Sequence, residues 1–215
     1  MLYKLFDSVK LFLPKTLNKG LISMPIMIDK NDFNRIRSNL ETYDQKREEL
    51  IKKARDVLKL SKQLIYSIHR NNLKETDSLV NDLKKEKIIL DKIAVSHKNL
   101  FNEGSYSEAM QEYVEALSYH GIVKNGKIPT CSSLKVSEED YLMGICDLTG
   151  ELTRKAVTIA HKDNKEVEKI KNLVEELYGE FIKFNLRNGN LRKKFDQIKW
   201  NLKKLEEIMY DIKKR

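Results

Sequence analysis

Glycine and proline interrupt this chain so rarely that long helices are nearly the only way to fold it. Eight Gly and three Pro are spread over 215 residues, and a long chain with few punctuators has few places to turn. From Asp29 onward apolar residues recur mostly at three- and four-residue steps: Phe33, Ile36, Leu40, Tyr43, Leu50, Ile51, Ala54, Leu58, Leu60, Leu64 and Ile65. That period marks one face of an α-helix, and Asp29 and Asn31 are candidate N-caps. No segment alternates with period two over a useful length. The expected fold class is therefore all-α, a bundle of six or seven long helices.

The few breaks set the expected boundaries. A first helix runs to about Arg70, where "NNLKET" turns the chain, and a second runs to about Asn99. "FNEGS" ends it, and Ser105 or Ser107 caps a third. "VKNGKIPTCSSLKV" reads as the only real loop, with Asn125-Gly126 and Pro129 as turn signals. Ser137, followed by Glu138, Glu139 and Asp140, opens a fourth helix, since acids in a first turn suit the positive end of the helix dipole. Asp163 caps a fifth helix that "RNGN" ends, and a sixth runs to the C-terminus. On that last helix Leu191, Phe195, Ile198, Leu202, Leu205, Met209 and Ile212 form a heptad stripe. Such a stripe serves either an internal bundle contact or an oligomer seam.

Residues 1–28 read as an N-terminal extension ahead of a helical domain over 29–215. Lys4, Lys10 and Pro14 break its apolar run well short of the ~20 apolar residues of a membrane span. The segment also lacks an uninterrupted signal-peptide core. It fits a short amphipathic helix, on the body or at a membrane surface, or a stretch upstream of a start at Met24 or Met27. Two cysteines, Cys131 and Cys146, stand outside any CxxC or Cys/His cluster. That points to a reduced, cytoplasmic setting with no zinc site or disulfide framework. A net charge of +9 favours a polyanionic partner, nucleic acid or an anionic surface.

Against that basic background, "GSYSEAMQEYVEALSYHGIV" contains no Lys and no Arg. At 100° per residue, Glu108, Glu112, Glu115 and Tyr119 fall within an arc of about 60°. Glu112 and Glu115 are three residues apart, so their charges repel across one turn. "EEDYLMGICDLTGELTR" repeats the pattern, with Asp147 and Glu151 four residues apart among apolar neighbours and no base before Arg154. Four carboxylates converging from two helices suit a hard cation, Mg²⁺ or Mn²⁺. Such ions clamp a phosphodiester and activate water. The plain alternative is a set of solvated helix faces, as in the acid-rich "KEVEKIKNLVEEL". Gly144, one turn before Asp147, serves either tight helix packing or close approach of a ligand. No His follows these acids by three residues, which excludes the Glu-x-x-His pair of di-iron bundles. Gly-rich phosphate loops, GxSxG and HExxH are absent. Cys146 has no evident base and reads as a core thiol.

At these residues the sequence resembles the translin family, and within it the branch of translin-associated factor X. "QEYVEALSY" and "DYLMGICDLTGELTR" resemble that branch's two signature helices, and "FNLRNGNLRKKFDQIKWNLKKLEEIMYDIKKR" resembles the family's C-terminal segment. The similarity runs from about Asp29 to Arg215. It implies an all-α bundle that assembles into closed, hollow octamers and binds single-stranded RNA and DNA. It also implies that the factor X branch is a Mg²⁺-dependent endoribonuclease, with catalytic acids here at Glu112, Glu115 and Asp147 and Glu151 as a fourth. The short loop between the third and fourth helices departs from the long insertion of many relatives, and with no partner evident the expected assembly is a homo-oligomer.

The expected function is metal-dependent cleavage of single-stranded RNA, with single-stranded DNA as a further substrate. Glu112, Glu115, Asp147 and Glu151 hold the metal. Arg154 and Lys155, then Arg192, Lys193 and Lys194, are candidate phosphate contacts. The alternatives are a non-catalytic holder of single strands, an all-α nucleoside triphosphate pyrophosphatase, and a structural bundle whose acids merely bind ions. The pyrophosphatase pattern is ExxE followed by ExxD, whereas the second pair here is DxxxE.

Overall fold

A computed structural model describes residues 28–97 and 99–214. The extension read over 1–28 lies outside the described residues but for Ile28. Seven α-helices and one 3-10 turn make up the described chain, with no strand among the described residues. They are α1 (Lys30–His69), α2 (Leu73–Val95), α3 (Gly104–Asn125), α4 (Cys131–Leu134), α5 (Glu138–Ile159), α6 (Asn164–Phe181) and α7 (Asn190–Lys213). Residues to Thr42 form one compact unit and Tyr43–Arg215 a second. In the first, Asp29 Oδ1 caps α1 by accepting from the Asn31 and Asp32 amides, and Phe33, Ile36 and Leu40 are exposed.

In the second unit α5 is central, packing on α3, α6 and α7. The core takes Leu50, Ala54, Val57 and Leu64 from α1, Leu83 and Leu90 from α2, and Met110 and Val114 from α3. Leu148 and Leu152 of α5 and Ile198 and Leu205 of α7 complete it. Along α1 from Leu50 and along α7 these are the three- and four-residue repeats of the sequence, so periodicity located those two faces.

Boundaries differ where local bonds compete with the helix. α2 stops at Val95 rather than near Asn99, because the Ser96 hydroxyl and amide both donate to the Ile93 carbonyl. α3 is capped by Glu103, not Ser105 or Ser107. The Glu103 carboxylate is engaged by the Tyr43 hydroxyl and, at 2.9 Å, by Arg47 Nε. The segment read as one loop contains α4, a single turn whose cap Thr130 accepts from the Ser133 amide. α6 ends at Phe181, well before "RNGN", where Lys183 and Phe184 close tighter i→i+3 bonds. Ser137 and Asp163 cap α5 and α6 as expected.

The α7 stripe is an internal contact. Phe195, Ile198, Leu202 and Leu205 are buried, and Leu191, Met209 and Ile212 pack against the same core. Phe195 stacks on Tyr178 and Phe181 of α6, at centroid distances of 5.6 and 5.9 Å. The stripe therefore supplies no free oligomer seam; Trp200 and Tyr210 are the exposed large apolar residues of α7.

Candidate metal centre

Gly144 decides where the two acid-bearing helices meet. A Cβ there would lie 2.6 Å from the Gln111 carbonyl oxygen and 2.7 Å from Val114 Cβ. Real Cβ atoms do not approach that closely, so only glycine lets α5 sit against α3 at this point. Of its two readings, tight helix packing is the one observed. The contact brings Asp147, one turn on, beside Glu112 and Glu115.

Glu115 is the unusual member. It is 8% exposed and makes no ion pair or side-chain hydrogen bond among the described residues. Burial foremost, then the charges of Asp147, Glu112 and Glu151, push its carboxyl up to about 8. The other three acids are partly buried. Burial raises Glu112 and Asp147 above the ordinary range, against the lowering effect of Lys62 and Lys194 respectively. Glu151 is lowered, chiefly by its hydrogen bond with His69.

Those cations correct the expectation of a site without base. Lys62 Nζ of α1 lies 3.6 Å from Glu112, and Lys194 Nζ of α7 contacts Asp147. His69 Nε2 contacts Glu151, and Arg154 lies 3.6 Å from the same carboxylate. His69 Nδ1 is 3.4 Å from the hydroxyl of buried Tyr119, which joins the acid face of α3 to α1. Lys62 and His69 were missed because they are distant in sequence. Their signal is modest: two basic residues seven apart on the side of α1 that buries Ile65 and Ile68.

The basic candidates separate. Arg154 and Lys194 border the acids. Lys155 pairs with Glu166 at 3.2 Å, and Arg192 lies 3.7 Å from Asp196 and over the Phe195 ring. Lys193 is exposed in the first turns of α7. The acids outside this cluster behave differently: Glu168, Glu175 and Glu176 of α6 are exposed, as a solvated face should be. Cys146 is buried and its thiol pushed up to about 12 by burial, which makes it inert. A groove of about 1060 Å³ lined by Lys84, His120, Lys124 and Lys127 opens elsewhere and includes none of the four acids.

The donor chemistry fits a hard divalent cation: four carboxylates, one of them buried without a counter-charge. Their present orientation does not yet form such a site, for among the described residues no three acidic, His or Cys groups converge in metal-binding geometry. Three of the carboxylates are turned toward protein cations instead.

A family profile described as "Translin family" matches residues 45–215. The translin-associated protein X homolog of Schizosaccharomyces pombe is 30% identical over 150 residues, which is 62% of this chain and 64% of that protein. Among solved structures, that of apo-NeC3PO superposes with a TM-score of 0.77 at 26% identity, covering 87% of this chain and all of that one. The AfC3PO–duplex RNA complex matches with a TM-score of 0.73 at 25% identity, over 85% of this chain and 96% of that one.

Proposed function

The chain belongs to the translin family, and on that premise we propose that it is a metal-dependent endoribonuclease acting on single-stranded RNA, with single-stranded DNA as a further substrate. The observation that carries this reading is Glu115, a buried carboxyl without a cation partner, facing three more carboxylates. A fold has no stability reason to bury such a group, and perturbed acids of this kind concentrate at working sites. The similarity to a translin-associated protein X homolog and to a chain seen with duplex RNA supports RNA as the polymer bound.

In this reading Glu112, Glu115 and Asp147 hold Mg²⁺ or Mn²⁺ through their carboxylate oxygens. Glu151, whose Oε2 is held by His69, completes the set or orients a water. The bound ion would polarise the phosphodiester and make water a nucleophile near neutral pH. Lys62, Arg154 and Lys194 rim the acids and supply positive charge for phosphate oxygens. Lys155, Arg192 and Lys193 serve, in the same reading, only as outer contacts.

The test is purified protein with end-labelled single-stranded RNA, with and without Mg²⁺, beside duplex RNA and free nucleotides. Metal-dependent internal cleavage of the single strand is expected. Hydrolysis of free nucleotides alone would favour a pyrophosphatase instead. One observation favours a second reading, a non-catalytic holder of RNA: three of the four acids, all but Glu115, already have cation partners. Binding without cleavage at any metal concentration would select it.

The same reading includes a closed homo-oligomer, an octamer, with the acids facing its interior, in the cytoplasm. No described helix is long and apolar enough to cross a membrane. Trp200, Val157, Tyr66 and Phe101 are among the exposed apolar residues that an assembly would have to cover. Light scattering is expected to return about eight chain masses; a monomer would overturn the assembly.

A further inference from the structure

The acids and their cations come from different helices, and that raises the question of what happens to the cations when a metal arrives. Lys62 is 66% exposed and 3.6 Å from Glu112, so water screens that pair. Lys194 is different: its ammonium contacts Asp147 Oδ2, with the two side chains only 27% and 24% exposed. Asp147 is the acid through which α5 meets the Glu112 and Glu115 carboxylates. A divalent ion and an ammonium cannot share it without strong repulsion at a few ångströms.

Resting on the metal reading above, we propose that Lys194 is a displaceable counter-ion: it neutralises Asp147 until a divalent cation binds, and then swings to a substrate phosphate. Its four-carbon stem leaves the second turn of α7, and the side chain keeps 27% of its surface exposed. The displaced ammonium therefore needs only side-chain rotation to reach solvent. No other cation contacts Asp147 among the described residues, so the exchange is one for one. Metal binding thus creates a phosphate ligand that the metal-free protein lacks. Metal and RNA then reinforce each other's binding by the same factor, as thermodynamic linkage requires.

Lys194→Met keeps the stem and removes the charge. Mn²⁺ binding, followed by electron paramagnetic resonance without RNA, is expected to tighten by about tenfold. RNA binding, followed by fluorescence anisotropy, is expected to weaken by about tenfold with metal present and to change little without it. The enhancement of RNA affinity by Mn²⁺ would therefore fall by the same factor. Lys199→Met, an exposed lysine further along α7 with no place at the site, should leave Mn²⁺ affinity and the enhancement unchanged. A Lys194 that merely braces the fold would give unchanged or weaker Mn²⁺ binding in Lys194→Met. A permanent phosphate contact would give equal RNA losses with and without metal. Either result overturns the exchange. Absence of Mn²⁺ binding in the unsubstituted protein would instead overturn the metal reading itself, so the two failures are separable. Circular dichroism melts of Lys194→Met and Lys194→Arg confirm folding, and the Arg variant should restore the enhancement in part.

Discussion

Glu115→Gln is expected to lower metal-dependent RNA cleavage by about 10²–10³-fold, the scale on which one electrostatic group in an active site acts, while leaving RNA affinity measured without metal largely intact. Gln keeps the shape of the side chain and one oxygen but cannot supply a charge to a metal. The same substitution should change the pH dependence of stability in metal-free protein. In the folded chain the Glu115 carboxyl is pushed up to about 8, against an ordinary 4.5. Between those values the folded state holds a proton that the unfolded state releases. Stability contributed by this group is therefore present below about 4.5 and lost as pH rises through about 8. Glu112 and Asp147, also raised, act in the same direction, whereas the lowered Glu151 opposes them. Thermal melts from pH 5 to 9 without metal should show a falling melting temperature for the unsubstituted protein and a shallower fall for Glu115→Gln. Parallel curves would mean that Glu115 does not bear the raised pKa. Mg²⁺ should bind more tightly as pH rises across the same window, since it must expel that proton.

Gly144→Ala is expected to destabilise the protein, which reverses the usual sign of this substitution in a helix. On an open helix face, Gly to Ala gains up to about 1 kcal/mol. Here the new Cβ would meet a backbone oxygen at 2.6 Å and a β-branched carbon at 2.7 Å, neither of which can rotate away. α3 and α5 must separate, at a cost of about 1–3 kcal/mol, or a fall in melting temperature of several degrees, about 2–4 °C per kcal/mol for a chain of this size. The same separation moves Asp147 away from Glu112 and Glu115, and misplacement by about 1 Å can cost about 10² in rate. Activity measured well below the melting temperature should therefore fall too. Gly179→Ala in α6 is the matched control: nothing lies within 4 Å of its Cβ, so a neutral or slightly stabilising effect is expected. Equal effects at the two glycines would remove the close contact as the reason for Gly144.

The helices were legible because their signals are local. Three- and four-residue spacing located the buried faces of α1 from Leu50 onward and of α7, and Ser137 and Asp163 fixed two starts through bonds within three residues. Ends were read less well, because Ser96, Glu103 and Phe184 terminate or cap through contacts that composition does not weight. The acid face of α3 was also legible, since Glu108, Glu112 and Glu115 lie within one arc and lack bases nearby in sequence. What the sequence could not say is what faces them. A period of 3.6 residues specifies a direction around one helix axis, not which helix stands opposite. Lys194 lies 47 residues beyond Asp147, and His69 lies 82 before Glu151. Their pairings exist only once α1 and α7 pack beside α3 and α5. The same packing turned the α7 heptad inward, and it gave Gly144 its function as the point of contact between the two acid-bearing helices. Local chemistry determined the helices and their charged faces; the tertiary arrangement alone decided which charges would meet.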